Sequence, residues 1–244
     1  MIKLKTFLKK KINLILLKFG WKLIKLRKVP EPNPYGKLDL EILKAINDSK
    51  GIIHLGAHRG TEAEIYNWFG KKVVWVEALP ETYEHLKDNL YFYKNQQAYC
   101  ALLSDTDDKV EKFNISNHDA ACSSIFSFSD EVTKSKVWAS RKHKMLKTIN
   151  LKTIKFDTLI KRNNININNY NHWILDLQGA ELLALKGSEK SLEFCKSIVI
   201  EINQKNIYSG GVLWDELKNW LLSKGFYPTR EPKNDEDDIL FLKK

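Results

Sequence analysis

A glycine turn between two apolar runs contains the residue types best suited to chemistry in this 244-residue chain. The run Gly51–Leu55 leads into the turn Gly56-Ala-His-Arg-Gly60, and a second run, 73–76, ends at the carboxylate of Glu77. Glycine lets the backbone approach a ligand where a Cβ would clash. Glu77 follows the first glycine by about 20 residues, the spacing of a carboxylate that hydrogen-bonds ribose hydroxyls. The pattern therefore predicts an adenosine cofactor at the edge of a parallel α/β sheet.

The turn differs from the dinucleotide fingerprint, in which G-x-G-x-x-G sets a pyrophosphate against a helix N-terminus. It has two glycines in a G-x-x-x-G spacing, and Thr61 and Glu62 begin the next helix. An acid in the first helical turn is a poor neighbour for a pyrophosphate. An ammonium-bearing tail tolerates that acid, so the pattern favours S-adenosylmethionine as the cofactor. The alternative is an ordinary strand-to-helix turn.

Other polar residues follow the later apolar runs. The carboxyl ends of parallel strands form the ligand crevice of such a sheet, so these residues are site candidates. Asp176 lies between Leu175 and Leu177, and a carboxylate in a buried strand is costly without a partner or ligand. The other candidates are Ser104 with Asp105, Gln178, and Glu201 with Asn203.

The elements that must position these residues alternate between helix and strand. Helices are predicted at 38–47, 61–69, 80–95, 180–186 and 213–223. Strands are predicted at 51–55, 73–76, 97–103, 109–115, 149–156, 173–177, 197–202, 226–229 and 238–242. Alternation predicts a mostly parallel sheet with right-handed crossovers, and the last two strands predict an antiparallel edge hairpin. Residues 117–148 lack a clear pattern, which predicts a long loop or short helices.

The formal net charge of +10 is concentrated at the N-terminus. Residues 1–28 contain ten Lys or Arg and no Asp or Glu, so the rest of the chain is formally neutral. Apolar residues recur there with a helical period. They are Leu4, Leu8, Ile12, Ile15, Phe19, Leu23 and Leu26. Residues 30–36 contain three prolines and a glycine, which divides the chain into 1–36, a basic amphipathic helix with a linker, and 37–244, the catalytic domain.

The apolar run 14–17 within that helix is too short to cross a bilayer, which needs about 20 residues. Lys18, Lys22 and Lys25 interrupt any signal-peptide core. A basic amphipathic helix suits the surface of an anionic membrane. Two alternatives stay open, because the helix could dock on the catalytic domain as a lid or dimer element, or could contact nucleic-acid phosphates.

The three cysteines, Cys100, Cys122 and Cys195, are far apart and odd in number. They form neither a disulfide framework nor a metal-binding pair, which predicts a reducing compartment and no metal site.

Together the motifs resemble the FkbM-type S-adenosylmethionine-dependent methyltransferases. The resemblance runs from Ile52 to Asn203, through segments that occur in the family's order. They are Ile53-His-Leu-Gly-Ala-His-Arg-Gly60, Trp75-Val-Glu-Ala-Leu-Pro80, Ala101-Leu-Leu-Ser-Asp105, Ser123-Ser124, Phe156-Asp-Thr-Leu159, Ile174-Leu-Asp-Leu-Gln-Gly-Ala-Glu-Leu182, Leu185-Lys-Gly187 and Ile198-Val-Ile-Glu201. Gln178 stands where the family signature D-V-E-G-A-E commonly has Glu, and His54 stands where many members have Asp.

The resemblance implies a class I methyltransferase fold, with a seven-stranded sheet whose last strand is antiparallel. It also implies methyl transfer to an oxygen, commonly a hydroxyl of a glycan or polyketide. The implied cofactor contacts are Gly56, Ala57, His58 and Gly60 to the methionine part, Glu77 to ribose, Ser104 with Asp105 to adenine, and Asp176 beside the methyl centre.

A hydroxyl nucleophile also requires a general base. The candidates are Asp176, Glu201 and His143. The irregular stretch 117–148 is the predicted acceptor-side cap. Its candidates for sugar or phosphate contact are Trp138, Arg141, Lys142 and His143.

We therefore expect an O-methyltransferase that acts on a glycan or lipid-linked sugar. It would be cytoplasmic and peripheral to the inner face of a membrane through residues 1–28, and the oligomeric state is left open. An RNA methyltransferase is a second hypothesis, which the neutral charge of the remaining chain disfavours. A non-catalytic module with a methyltransferase fold is the third, prompted by His54 and Gln178.

Overall fold

The computed structural model describes residues 39–117, 119–134 and 142–244, together with Ile12. The compact unit Leu40–Lys244 contains the helices and strands considered below. Apart from Ile12, the predicted N-terminal helix and the predicted boundary at residue 36 lie outside the described residues. Trp138 and Arg141 also lie outside them.

The described elements alternate between strand and helix over most of the unit. The strands are β1 (Gly51–Leu55), β2 (Lys72–Glu77), β3 (Gln96–Cys100), β4 (Leu102–Leu103), β5 (Val110–Ser116), β6 (Met145–Ile154), β7 (His172–Leu175), β8 (Ser197–Asn203), β9 (Phe226–Pro228) and β10 (Glu236–Lys243). The α-helices are α1 (Leu40–Asp48), α2 (Ala63–Trp68), α3 (Pro80–Leu90), α4 (Asp130–Lys134), α5 (Phe156–Arg162), α6 (Glu181–Lys186), α7 (Glu189–Leu192) and α8 (Trp214–Ser223), with a 3₁₀ turn at Ile167–Asn169.

Seven strands form one sheet in the order β3-β2-β1-β7-β8-β10-β9. The pairs β2–β3, β1–β2, β1–β7 and β7–β8 are parallel. Strand β10 runs antiparallel to both β8 and β9. This sheet confirms the predicted fold class, including the antiparallel C-terminal strand. The order reverses next to β1, which is where an open α/β sheet leaves a crevice at its carboxyl edge.

A second sheet, in the order β4-β6-β5, corrects the prediction for residues 117–148. Strand β6 begins at Met145 and pairs antiparallel with β5, although the sequence predicted a strand only from residue 149. The first residues of β6, Met145-Leu-Lys-Thr148, are mostly exposed, and their apolar and polar side chains do not alternate. Pairing with β5 satisfies their backbone groups, and that pairing is not visible in local sequence.

Both faces of the large sheet are covered, and the central strands β1 and β2 are therefore almost continuously buried. Ile53 and Val74 contribute to one apolar cluster, and Ile52 and Val73 contribute to another. His54 belongs with the second face. Its ring stacks on Trp75, with centroids 4.6 Å apart, and its Nδ1 lies 3.2 Å from the Tyr66 hydroxyl.

His54 is buried in this packing, and burial lowers the pKa of its imidazole. The ring therefore fills core space between the sheet and the helices α2 and α3 and does not line the crevice.

None of the helices in the described ranges is long and apolar enough to cross a membrane.

Candidate functional site

A cleft opens where β1, β2 and β7 end. It encloses about 640 Å³ with the adjoining open solvent included. Five predicted site residues line it: Gly56, His58, Glu77, Asp176 and Gln178. Its opposite wall is apolar and comes from β4, β5 and the segment 120–125.

Gly56 joins the two sides of this edge. Its N–H and that of Ala57 both donate to the Val76 carbonyl at 3.0 Å, while Asp176 N–H donates to the Leu55 carbonyl at 3.0 Å. Gly56 has φ +83°, and a Cβ at this position would lie 1.7 Å from the Asp176 carbonyl oxygen. No side chain fits there, so glycine is required for the β1 turn to pack against the end of β7.

Glu77 fastens the same turn to β2. One carboxylate oxygen accepts from His58 N–H at 2.8 Å and the other accepts from Leu79 N–H at 2.8 Å. Burial raises the pKa of Glu77 to about 7, the charge of Asp176 adds to this, and the two backbone hydrogen bonds oppose it. A carboxylate has about four acceptor positions, so Glu77 keeps capacity for ribose hydroxyls.

The middle of the turn contacts residues 119–134, which we call the cap segment. His58 has φ +44°, and its Nε2 donates to the Asp119 carbonyl at 2.8 Å. Arg59 forms an ion pair with the Asp119 carboxylate at 3.0 Å. The turn thereby positions the start of the segment 119–125, which forms part of the opposite wall of the cleft.

The other two predicted turn residues, Ala57 and Gly60, lie behind the cleft surface. Ala57 is buried in the apolar cluster beneath the turn. Gly60 has φ +65°, and a Cβ there would lie 2.5 Å from Leu86 Cδ1 of α3. Both residues shape the turn, and their contact with the methionine part of the cofactor stays a prediction.

Asp176 and Glu201 are neighbours because β7 and β8 are parallel and Leu175 pairs with Ile200. The Gln178 amide nitrogen donates to both carboxylates, to Asp176 Oδ1 and to Glu201 Oε2 at 2.7 Å. Asp176 is exposed, which corrects the expectation of a carboxylate inside a buried strand: β7 ends one residue earlier. Burial and the charge of Asp176 hold the pKa of Glu201 well above its usual range.

Tyr208 is a site residue that the sequence did not reveal. Its buried hydroxyl donates to Gln178 Oε1, and Ser124 Oγ donates to the Gln178 carbonyl at 2.8 Å. A Cβ on Gly179 would lie 3.1 Å from Tyr208 Cβ, so the small residue admits the close approach. The pair Gly210-Gly211 after Tyr208 was the available signal of a tight loop.

Ser104 and Asp105 follow β4 and lie outside the cleft lining. Ser104 N–H donates to the Ile154 carbonyl at 3.1 Å, and its Oγ donates to Asp105 Oδ1 at 3.3 Å. Ala101 and Leu102, just before them, line the cleft instead. The contact of Ser104 and Asp105 with adenine stays a prediction.

His143 also lies outside the cleft lining. Its Nδ1 is 3.8 Å from Cys122 Sγ, and its ring centroid is 6.4 Å from that of Phe128. Burial raises the pKa of Cys122 to about 11. Lys142 is exposed in the same segment. The geometry brings Asp176 and Glu201 together but does not bring His143 to them.

Glu181 is the first residue of α6, and its side chain bonds to the loop before that helix. It is buried, and its Oε1 accepts from Leu177 N–H at 2.9 Å and from Gly179 N–H at 3.1 Å. Its Oε2 has no hydrogen-bond partner among the described residues. Burial raises the pKa of Glu181 to about 7, against these backbone bonds. Glu181 thus holds the loop that presents Asp176 and Gln178.

The donor set fits S-adenosylmethionine. Glu77 provides acceptors for two hydroxyls, and Ala101, Leu102 and Phe113 provide an apolar wall for a flat base. Asp176 provides a negative charge for a cationic tail. Gly56 lets the end of β7 pack against the turn, so Asp176 and Glu77 line the same cleft.

Residues 54–228 match the family described as Methyltransferase FkbM domain. No protein of curated function matches the chain. Three similar solved structures are a SAM-dependent methyltransferase from Aquifex aeolicus, a magnesium protoporphyrin IX methyltransferase from Synechocystis PCC 6803 with bound SAM, and a TehB-like SAM-dependent methyltransferase from Corynebacterium glutamicum.

Each of the three is 10% identical to this chain. The Aquifex match covers 88% of this chain and 95% of the other with a TM-score of 0.47. The Synechocystis match covers 98% and 97% with a TM-score of 0.45, and the Corynebacterium match covers 99% and 100% with a TM-score of 0.44. Similarities this low carry no argument about the reaction or the acceptor.

Replacing Gly56 tests the close approach at the cleft. In Gly56→Ala the new Cβ meets the Asp176 carbonyl, so we expect unfolding to become easier by roughly 3 kcal/mol or more. Calorimetry should detect no S-adenosylmethionine binding. The matched control is Gly70→Ala, which has φ +66° but no atom within 4 Å of the new Cβ. It should cost only about 1 kcal/mol of left-handed strain and keep cofactor binding. Equal behaviour of the two variants would contradict the assignment.

The buried carboxyl groups predict an unusual pH dependence of stability. Because the folded-state pKa of Glu181 is about 7, against 4.5 for the free side chain, the folded protein binds more protons between these values. The free energy of unfolding should therefore fall as pH rises, by roughly 2–3 kcal/mol between about pH 5 and 8 from this residue. Urea unfolding at several pH values measures it. Glu181→Gln should flatten the decline by that amount, and an unchanged slope would count against a neutral Glu181.

Proposed function

Since the chain belongs to the FkbM methyltransferase domain family and uses S-adenosylmethionine as its cofactor, we propose that it methylates a hydroxyl of a glycan or lipid-linked sugar. The observation that carries this proposal is a pair of carboxyl groups next to the cleft: Asp176 lines it, and Glu201 is bonded to the same Gln178 amide as Asp176. A hydroxyl must lose its proton on methylation, and an ionised carboxylate beside it can accept that proton.

When bound, S-adenosylmethionine supplies a methyl group on a sulfonium, which is already a good leaving group. The protein then has to bind, align and exclude water. Glu77 holds the ribose hydroxyls at one end of the cleft, and Asp176 places a negative charge at the other end. The apolar residues Leu102 and Phe113 keep water from the wall between them. Alignment of the acceptor oxygen accounts for much of the rate of such a transfer.

Glu201 is the better base of the pair. Burial and the neighbouring Asp176 charge raise the pKa of Glu201, so its ionised form is a stronger base than an ordinary carboxylate. Asp176 is exposed and lines the cleft. It is therefore suited to face the cationic end of the cofactor. His143 remains a third candidate on sequence grounds alone, because its described contact is with Cys122.

The acceptor enters from the side of the segment 119–134 in this proposal. Ala120, Ala121 and Ser123 of this segment line the cleft, and they are small, so they leave room beside the carboxyl pair. Lys142 and the exposed polar face of β6 lie further along the same connection. A sugar offers several hydroxyls to such a polar rim.

In this proposal, residues 1–28 bind the enzyme to the inner face of an anionic membrane. Support comes from their ten basic residues and the apolar stripe between them. Lipid-linked sugars are displayed at a membrane surface, so a peripheral anchor raises their concentration near the cleft.

A labelling experiment tests the reaction and its acceptor class. Cell fractions that lack the enzyme are incubated with the purified protein and methyl-labelled S-adenosylmethionine. We expect label in the glycan or glycolipid fraction. Glu201→Gln should lower the rate by ~10²–10⁴, because it removes the base. Glu193→Gln, an exposed carboxylate far from the cleft, is the matched control and should keep the rate. Label in RNA would overturn the acceptor, and no label with no calorimetric binding would favour a non-catalytic module.

Vesicle flotation tests the membrane proposal with the full-length protein. We expect it to float with vesicles that contain phosphatidylserine and to stay in solution with purely zwitterionic ones. Reversal of Lys9, Lys10 and Lys11 to Glu should abolish flotation, because each basic residue contributes about 1 kcal/mol near an anionic surface. Reversal of three body lysines, Lys152, Lys161 and Lys186, is the control of equal charge. Loss of flotation in both variants to the same extent would assign binding to net charge and not to the helix.

A further inference from the structure

The side chain of Gln178 lies between two acids and has every polar atom in use. Its amide has two N–H donors, and they bond to Asp176, just after β7, and to Glu201 on β8. Its oxygen accepts from the Tyr208 hydroxyl. The two carboxylates fix the orientation of the amide, because only the nitrogen can donate to them and only the oxygen can accept from Tyr208.

The backbone of Gln178 is fixed as well. It adopts φ +54°, an uncommon conformation for a residue other than glycine, between the end of β7 and Gly179. Ser124 Oγ donates to its carbonyl at 2.8 Å. Glu181 holds the amides on either side of it, those of Leu177 and Gly179. These contacts fix the backbone around Gln178, whose side chain extends toward the two carboxylates.

Tyr208 is held in turn by the cap segment. Residues Phe128 and Tyr208 form an antiparallel bridge, and their rings lie 5.5 Å apart. Ser129 N–H donates to the Ile207 carbonyl at 2.8 Å. Through the Tyr208 hydroxyl, the position of the cap segment is thus connected to the amide that joins the two acids.

The charge at this position decides how the two acids behave. A glutamate, which the family signature commonly has here, could donate to neither carboxylate and would add a third negative charge. The neutral amide instead bonds to both and keeps them together without a cation. The ionisable groups that interact with the pair from the surrounding elements are His54, Glu77, Cys122, Glu181, Tyr208 and Asp238.

We propose that Gln178 is a positioning residue that joins the carboxyl groups of Asp176 and Glu201 into one proton-accepting unit and ties that unit to the cap segment through Tyr208. It acts through the two acids and does not itself touch the reacting atoms. This inference rests on the proposed function in one respect only, that the proton accepted by the two acids comes from the hydroxyl that is methylated. The joining of the two acids is a property of the protein without cofactor or acceptor.

Infrared titration of the protein alone tests the joining. The infrared signal of protonated Glu201 is the one that disappears in Glu201→Gln. In Gln178→Glu it is identified in the same way, by adding Glu201→Gln to that variant. In Gln178→Glu two donors are lost and a charge is gained, so we expect the midpoint of the Glu201 signal to rise by one pH unit or more. The acid limb of the pH–rate profile for transfer should move in the same direction.

The matched control is Gln97→Glu on β3. Gln97 also accepts a tyrosine hydroxyl, that of Tyr99 at 3.1 Å, but it is exposed and far from the pair along the sheet. Its replacement adds the same charge and should leave the Glu201 midpoint unchanged. Tyr208→Phe keeps the ring and removes only the hydroxyl, so it should raise the midpoint in the same direction by a smaller amount. This variant serves if Gln178→Glu does not fold.

An unchanged midpoint in both Gln178→Glu and Tyr208→Phe would overturn the inference, as would a shift of equal size in Gln97→Glu. A shifted midpoint with no methyl transfer by the wild-type protein to any glycan would support the joining of the acids and refute the proposed function. The two ideas therefore fail separately.

Discussion

The cleft depends on one backbone contact, the approach of Gly56 to the carbonyl of Asp176. It brings the turn after β1 against the end of β7, while the Val76 carbonyl receives two N–H groups of the same turn. Glu77 then pins the turn from the side of β2. The ends of β1, β2 and β7 are thereby held at fixed separation. Glu77 lies at the end of β2, and Asp176 follows the end of β7. A shift of this turn would therefore move Gly56, His58 and Glu77, which all line the cleft.

The second constraint is the concentration of acid in a poorly solvated region. Glu77, Glu181 and Glu201 all have raised pKa values, and burial is the first cause in each case. Such groups destabilise the folded protein when they ionise without a partner. A cofactor with a sulfonium and an ammonium relieves that cost, so perturbed acids and cationic ligand suit each other. When no cofactor is bound, the neutral amide of Gln178 limits the repulsion between Asp176 and Glu201.

Local sequence was sufficient for the elements that have a strong period and a clear end. It indicated the mostly parallel character of the large sheet, the antiparallel C-terminal hairpin, and the cleft positions of Gly56, Glu77 and Asp176. It was insufficient for β6, whose exposed start becomes a strand only through pairing with β5. It was also insufficient for His54, whose alternation along β1 directs it into the core beside Trp75.

The sequence by itself determined the fold class and the cofactor, because apolar runs, glycine turns and strand-end acids are local signals with a direct physical meaning. Only the tertiary structure decided which acids meet and what lies between them. Asp176 and Glu201 are joined by Gln178 because two parallel strands lie side by side, and Tyr208 reaches the same amide from a loop that follows β8. Contacts between residues 23 to 30 positions apart leave no period in the chain and arise only when the sheet assembles.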